Sequence, residues 1–161
     1  MNTAQDLVIR RAAPADLVSV NVVVESCVMA WNLPERVKRL SVGAYRYNPQ
    51  DLQHLEMTLA ELPGGDFVGV AAWEPAATAD LPNGRAGLLL HGLYVSHQYQ
   101  HKGVGSRLID EALKAVRKRG MHGLLVKAQA DAVGFFESRG FIHLPVENPE
   151  RDYAHRWWRQ I

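Results

Sequence analysis

Two glycines one residue apart end the segment Gln100-His101-Lys102-Gly103-Val104-Gly105, at the mouth of the clearest amphipathic run in the chain. Such a turn lets the backbone approach a bulky anion closely. The unpaired N–H groups of the first helical turn can then donate to phosphate oxygens, assisted by the helix dipole. An ordinary strand-to-helix turn has the same glycines, so the pair alone does not decide. A P-loop needs a glycine, four residues and then Gly-Lys-Ser/Thr, and that pattern is absent. A Rossmann fingerprint needs a third glycine where Leu108 stands, and an early strand rather than one beyond the midpoint of the chain. His97 and His101 have the i, i+4 spacing of a helical zinc pair. They lie in the approach to the glycine turn with no third ligand in evidence, so solvated loop histidines are the better reading and no metal site is expected.

The elements around this turn are read from periodicity. Leu7 to Arg10 reads as a short strand, ended by Ala13-Pro14. Asp16 is placed to cap a helix carrying Leu17, Val20 and Val24, although Val22-Val23-Val24 argues locally for a strand. A second helix is expected from Pro34 to Leu40, followed by a loop from Ser41 to Pro49. Leu55, Met57 and Leu59 alternate with polar or small residues, the mark of a half-buried strand. Pro63 to Asp66 is a turn, Phe67 to Trp73 the return strand of a hairpin, and Glu74 to Arg85 a loop. Leu88 to Val95 is apolar on both faces and therefore central. Gly103 to Arg119 is a helix whose stripe is Val104, Leu108, Ile109, Ala112, Leu113 and Val116, with Gly120 as its C-terminal cap. A strand at Leu124 to Lys127, a helix at Asp131 to Ser138, and strands at Phe141 to Leu144 and Tyr153 to Trp158 complete the pattern. It predicts an α/β (α+β) sandwich around one mixed sheet.

The bulk properties narrow the class. The 161 residues suit one domain, 1–161, and 47% hydrophobic with 22% charged residues is ordinary for a globular protein. The formal net charge of +1 gives no reason to expect nucleic acid or an anionic membrane as partner. A lone cysteine, Cys27, excludes an intrachain disulfide and reads as a reduced structural thiol. The opening Met1–Asp6 has no basic segment leading into an apolar one, so no secretory leader is read there. No apolar run reaches the roughly 20 residues that span a bilayer, and a cytoplasmic protein is expected.

Gln100-x-x-Gly103-x-Gly105, preceded by Leu93-Tyr94-Val95, resembles the acetyl-CoA motif of the GNAT superfamily of acetyltransferases. The stretch Asp131 to Phe141, Asp-Ala-Val-Gly-Phe-Phe-Glu-Ser-Arg-Gly-Phe, is similar to that family's late helix and following strand. Ile9-Arg10 with Pro14 and Asp16 matches its opening strand and first helix. The resemblance implies a GNAT fold: a mostly antiparallel central sheet, flanked by helices and splayed after the strand ending at Val95. It further implies acetyl-CoA as cosubstrate. The pantetheine arm would bond to the backbone of Leu93 and Val95, and the pyrophosphate would rest on the N–H groups of His101, Lys102, Gly103, Val104, Gly105 and Ser106. Gln129, where the family often has asparagine, and Phe136 complete the expected cofactor residues.

An amine nucleophile has a pKa near 10 and must lose a proton to attack. On this resemblance His91 is the candidate base, since an imidazole near pKa 6.5 suits that task at neutral pH. Arylalkylamine N-acetyltransferases have two alternating histidines on this strand; one falls on His91, the other on Leu89, where it is lost. A core histidine bonded to a carbonyl is the competing reading. The family's usual acid, the tyrosine of Phe-Tyr-Glu, is Phe136 here and has no proton to give. The thiolate then leaves unaided, or Tyr94 or Tyr153 substitutes, or the domain binds CoA without catalysis. Trp31 and Tyr45-Arg46-Tyr47 fall where the family places variable acceptor-binding elements, with surface packing as the alternative. Trp157-Trp158 are candidates for a homodimer face or a substrate wall, against packing in the core and at the sheet edge; Arg151, Arg156 and Arg159 read as a solvated basic end. The expectation is an N-acetyltransferase acting on a small-molecule primary amine, with a protein acetyltransferase and a non-catalytic CoA-binding module as rivals.

Overall fold

The computed structural model describes residues 6–161; Met1–Gln5, most of the segment over which the leader was assessed, lie outside the described residues. Seven strands form one sheet in the order β1-β2-β3-β4-β5-β7-β6. They are β1 (Val8–Arg11), β2 (Glu56–Glu61), β3 (Phe67–Pro75), β4 (Gly87–Val95), β5 (Gly123–Lys127), β6 (Ile142–His143) and β7 (Arg156–Gln160). The helices are α1 (Leu17–Met29), α2 (Glu35–Tyr45), α3 (Val104–Lys118) and α4 (Val133–Ser138). β1 runs antiparallel to β2, β4 parallel to β5, and β7 antiparallel to both β5 and β6. The mixed, helix-flanked sheet agrees with the expected α/β (α+β) class. By its internal contacts the chain divides into two compact units. One comprises residues through Ala72 with Gly92–Ile109, the other Trp73–His91 with Asp110–Ile161.

In the first unit α1 settles the conflict over its valine run in favour of helix. Leu17, Val20, Val23, Val24, Cys27 and Val28 are buried at helical spacing, while Val18 and Val22 are 79% and 63% exposed. The buried stripe joins Tyr47, Leu55, Met57, Leu59, Val70, Ala72 and Tyr94 in one core cluster. Packing of that stripe outweighs the modest β preference of valine. Asp16 occupies the expected cap position but makes no side-chain cap bond. Its carboxylate instead forms a two-bond pair with Arg10, at 2.8 and 2.9 Å, and accepts the Ala13 N–H at 2.8 Å. A charge-assisted fork of that kind, with the Ala13 N–H, keeps the carboxylate engaged away from the first turn of α1.

α2 runs to Tyr45 rather than stopping at Leu40, so much of the expected loop is helix. Val42 packs on the core cluster and the Ser41 hydroxyl donates to the Val37 carbonyl at 2.8 Å. The β2–β3 hairpin closes as expected, with Gly65 at φ 97° and its N–H bonded to the Leu62 carbonyl. Gly69 on β3 lies where a Cβ would meet Val104 at 2.8 Å and Leu108 at 2.9 Å. The missing side chain is what lets the N-terminal turns of α3 sit against the sheet.

In the second unit Leu125, Leu144 and Trp158 form a core with Leu89, Ala76 and Leu81 against it. Gly87 and Gly123 pair across β4 and β5, and a Cβ on either would strike the Trp158 ring. Trp157 and Trp158 are both buried, so both rings serve the core. α4 is preceded by a separate 3-10 turn at Ala130–Ala132 instead of continuing from Asp131. β6 is shorter than expected, and β7 starts at Arg156 rather than Tyr153. The delay has a local cause. The Asp152 carboxylate accepts the N–H groups of Glu147 and Asn148 at 3.1 and 3.0 Å, which closes residues 147–152 into a turn. Arg156 is not a solvated end but buried. It lies 3.4 Å from Asp152 and donates to the carbonyls of Asp80 and Pro145 at 2.9 and 3.0 Å.

Two outcomes follow from this packing. Gly69→Ala overfills the β3–α3 contact and should lower stability by about 1–3 kcal/mol in urea unfolding. The Asp152 carboxyl is held below the ordinary carboxylate range chiefly by the Asn148 N–H, then by Arg151, the Glu147 N–H and Arg156. A depressed folded-state pKa adds stability above the unfolded value of about 3.9, and that stability is lost as pH falls. Thermal unfolding should therefore show a shallower acid loss between neutral pH and pH 3 in Asp152→Asn than in the wild type, which starts higher.

Candidate acyl-CoA site on strand β4 and helix α3

The ladder between β4 and β5 runs from Gly87↔Gly123 to Leu90↔Val126, while β4 continues to Val95. His91 is the first β4 residue past that ladder and its side chain is exposed. Beyond the strand the Ser96 N–H donates to the Val68 carbonyl of β3 at 2.9 Å. Backbone groups of an extended strand alternate in direction, so those of Leu93 and Val95 point away from β3. The β5 ladder does not reach them. The Val95 carbonyl is engaged from within the unit, by the Cys27 thiol and the Gln100 amide, each at 3.2 Å. A carbonyl has two lone pairs, so these two donors take up both acceptor positions of Val95. Cys27 is a buried free thiol, pushed up to about pKa 11 by that burial.

Gln100 thus folds the turn back onto the strand that precedes it. His97–Tyr99 form a single 3-10 turn, and then the backbone enters the left-handed region twice, at His101 (φ 61°) and Gly103 (φ 86°). The first backbone bond leading into α3 runs from the Arg107 N–H to the Gly103 carbonyl at 3.0 Å. The N–H groups of Val104, Gly105 and Ser106 precede it and have no acceptor within the helix. The Ser106 hydroxyl is buried with no hydrogen-bond partner. Lys102 stands 5.5 Å from the centre of the Tyr99 ring. A left-handed turn, orphan N–H groups at a helix N-terminus, an orphan hydroxyl and a lysine form a donor set suited to a phosphate ester.

Tyr94 is buried in the core cluster; its phenol is hydrogen-bonded to that of Tyr47, and burial drives its pKa well above the usual value. A phenol so shifted is a reluctant proton donor. Tyr153 donates its hydroxyl proton to the Ala128 carbonyl at 3.1 Å. In the second unit Gln129 is half-buried at the start of a 3-10 turn. Phe136 is buried between the rings of Phe135 and Phe141, 5.2 and 5.3 Å from their centres. Trp31 and Tyr45 pack edge to face at 5.1 Å, whereas Tyr47, read as part of the same surface, is buried. Among the described residues no group of three or more His, Cys, Asp or Glu side chains is placed to hold a metal ion. No helix of the described residues is long and apolar enough to cross a membrane.

Asn21 and Tyr47 are the residues of this region that the sequence reading did not single out for the cofactor. An asparagine amid the apolar positions of α1 was the available signal. Its amide accepts the Tyr47 N–H at 2.9 Å and donates to the Tyr47 carbonyl at 2.8 Å. The turn also makes a stability prediction. Gly103→Ala should cost about 1–2 kcal/mol, the strain of a Cβ at positive φ, whereas His101→Gly should be neutral or slightly stabilising. Denaturant midpoints of the two variants would check this.

The comparisons with known proteins follow the same lines. Among curated proteins none matches the chain. The PaiA N-acetyltransferase from Thermoplasma acidophilum, in complex with coenzyme A, superposes with a TM-score of 0.73 at 16% identity, over 96% of this chain and 99% of that one. A GNAT family acetyltransferase from Brucella melitensis in complex with acetyl-CoA gives 0.66 at 21% identity, over 96% and 88%. A KacTA–DNA complex gives 0.64 at 17% identity, over 96% and 92%. Residues 50–155, well over half of the chain, match the family model described as acetyltransferase (GNAT) domain, and the chain belongs to that family.

Proposed function

We propose that this chain, acting as one domain, is an acetyl-CoA-dependent N-acetyltransferase that acetylates a primary amine by direct transfer. The observation that carries the reading is the turn from Gln100 to Ser106, where two left-handed residues and a buried, partnerless Ser106 hydroxyl meet the N-terminus of α3. The coenzyme A and acetyl-CoA bound by the Thermoplasma and Brucella relatives support the same ligand here. In this reading residues 101–106 hold the pyrophosphate, Leu93 and the Val95 N–H hold the pantetheine amides, and Gln129 and Phe136 are assigned to the same cofactor by family resemblance. When bound, acetyl-CoA supplies the acetyl group as a thioester.

His91 accepts a proton from the amine nitrogen, directly or through one water, as that nitrogen bonds to the thioester carbon. The carbon–sulfur bond breaks and its electron pair leaves on sulfur. Phe136 has no proton to give and burial holds back that of Tyr94. A thiol of pKa about 8.5 is a tolerable leaving group without help. A small-molecule acceptor is preferred to a protein or nucleic acid, because 18 basic and 17 acidic residues make no docking field for a charged polymer. The DNA of the KacTA complex is a feature of that relative. The buried, unpaired Cys27 accords with a reducing, cytoplasmic setting.

The rival with a specific motive is a CoA-binding module without turnover, suggested by Phe136. Thermal unfolding in acetyl-CoA at 100 times its dissociation constant should show about 2.7 kcal/mol of stabilisation, abolished in Gly103→Val. No shift at millimolar acetyl-CoA would sink the cofactor reading. Across a panel of amines, His91→Ala should lower turnover at neutral pH by about a hundredfold or more, with acetyl-CoA binding unchanged. Tight binding with no CoA release from the wild type would favour the module.

A further inference from the structure

The part of β4 that outruns the β5 ladder has to keep its shape without that neighbour, and the first unit supplies a clamp for it. Tyr47 is 5% exposed although Arg46 and Asn48 on either side of it are exposed. Its backbone is gripped at both N–H and carbonyl by the single amide of Asn21, at 2.9 and 2.8 Å. Its ring packs edge-on to Tyr94, with centres 6.4 Å apart, and the two hydroxyls are hydrogen-bonded to each other. The Tyr47 hydroxyl also fills the space beside Gly92. Any Cβ at that position would collide with it, and would lie 2.8 Å from the Tyr94 ring.

Stability alone does not call for this arrangement. Apart from the Cys27 thiol the surrounding cluster is apolar, made of valines, leucines, Met57 and Ala72. A pair of phenylalanines would fill the same ring volume without burying two hydroxyls. Replacing both partners of a buried hydrogen bond by apolar groups of the same shape is often close to neutral, whereas removing one leaves the other unsatisfied. The Tyr47 hydroxyl lies beside Gly92 and is bonded to that of Tyr94, and Gly92 and Tyr94 are the residues that flank Leu93. Cys27 and Gln100 hold the next point along, the Val95 carbonyl.

We propose that Tyr47 is a positioning residue for acetyl-CoA: through Gly92 and Tyr94 it fixes the end of β4 so that the backbone of Leu93 and Val95 meets the pantetheine arm. The inference rests on the acetyl-CoA reading above and concerns the pantetheine half of the ligand, not the phosphates held by residues 101–106. Two ligands therefore separate it from a general loss of structure. Acetyl-CoA has the pantetheine arm; adenosine 3′,5′-bisphosphate has nucleotide phosphates and no arm.

The experiment is calorimetric titration of both ligands into wild type, Tyr47→Phe and the double variant Tyr47→Phe/Tyr94→Phe, alongside thermal unfolding of each without ligand. Tyr47→Phe should weaken acetyl-CoA roughly five- to tenfold, the worth of one hydrogen bond, and leave the bisphosphate within about twofold. In steady state the KM for acetyl-CoA should rise by the same factor with kcat nearly unchanged. The double variant should recover the thermal midpoint of the wild type without recovering acetyl-CoA affinity. Unchanged acetyl-CoA affinity in Tyr47→Phe, an equal loss for both ligands, or affinity that returns together with the midpoint would overturn the proposal. Failure of the wild type to bind acetyl-CoA would strike the functional reading instead.

Discussion

The constraint on which the candidate site depends is the early end of a hydrogen-bond ladder. β4 and β5 pair in parallel up to Leu90↔Val126, and β4 then continues to Val95. Backbone N–H and C=O groups are obligatory hydrogen-bonding groups, so a strand that leaves its partner must find others or present its groups to a ligand. At Val95 the chain does the first. Val95 gives its carbonyl to Cys27 and Gln100, and that second bond ties the strand to the turn that follows. One short stretch of backbone therefore couples the released strand, the left-handed turn and the first turn of α3.

Close approach of backbone is the recurring means by which the fold reaches that arrangement. Gly69 admits α3 to the face of β3, and Gly87 and Gly123 admit the Trp158 ring against β4 and β5. Gly92 makes room for the Tyr47 hydroxyl. Each removes a Cβ where a neighbour already fills the volume, and interiors at crystal-like density have little slack to accommodate one. At Gly103, in the turn itself, the need is conformational instead, a positive φ.

Charged groups hold the elements away from the site. Arg10 ties β1 to Asp16 ahead of α1 and to Glu61 at the end of β2, at 2.8 Å in each case. In the second unit Arg156, Asp152, Asp80 and Lys127 join the segment after β3, the turn at 147–152 and strands β5 and β7. The Asp152 side chain is 2% exposed and that of Arg156 7%. Breaking a buried pair leaves an unpaired charge behind, which is costlier than the net worth of the pair itself. The pair thus specifies where β7 begins more than it adds to stability.

By itself the sequence determined the class of fold, the order of its elements and the segment proposed to hold the cofactor. Apolar periodicity marks β2, β3, β4 and α3 directly, and Gln100-x-x-Gly103-x-Gly105 is a local pattern whose meaning lies in its own backbone. What depended on partners distant in sequence was not legible. The cap position of Asp16 was visible, but not that Arg10 would take its carboxylate; the helix of α2 past Leu40 needed the core that Val42 touches. Arg156 read as solvated because its three partners, Asp152 and the carbonyls of Asp80 and Pro145, come from other turns and loops. Tyr47 read as surface because its neighbours are polar, and only the fold brings Asn21, Gly92 and Tyr94 around it. Local backbone preference acts over a few residues and is written in the chain. The burial of a side chain, and with it the behaviour of its charge or hydroxyl, is decided by what the tertiary structure sets against it.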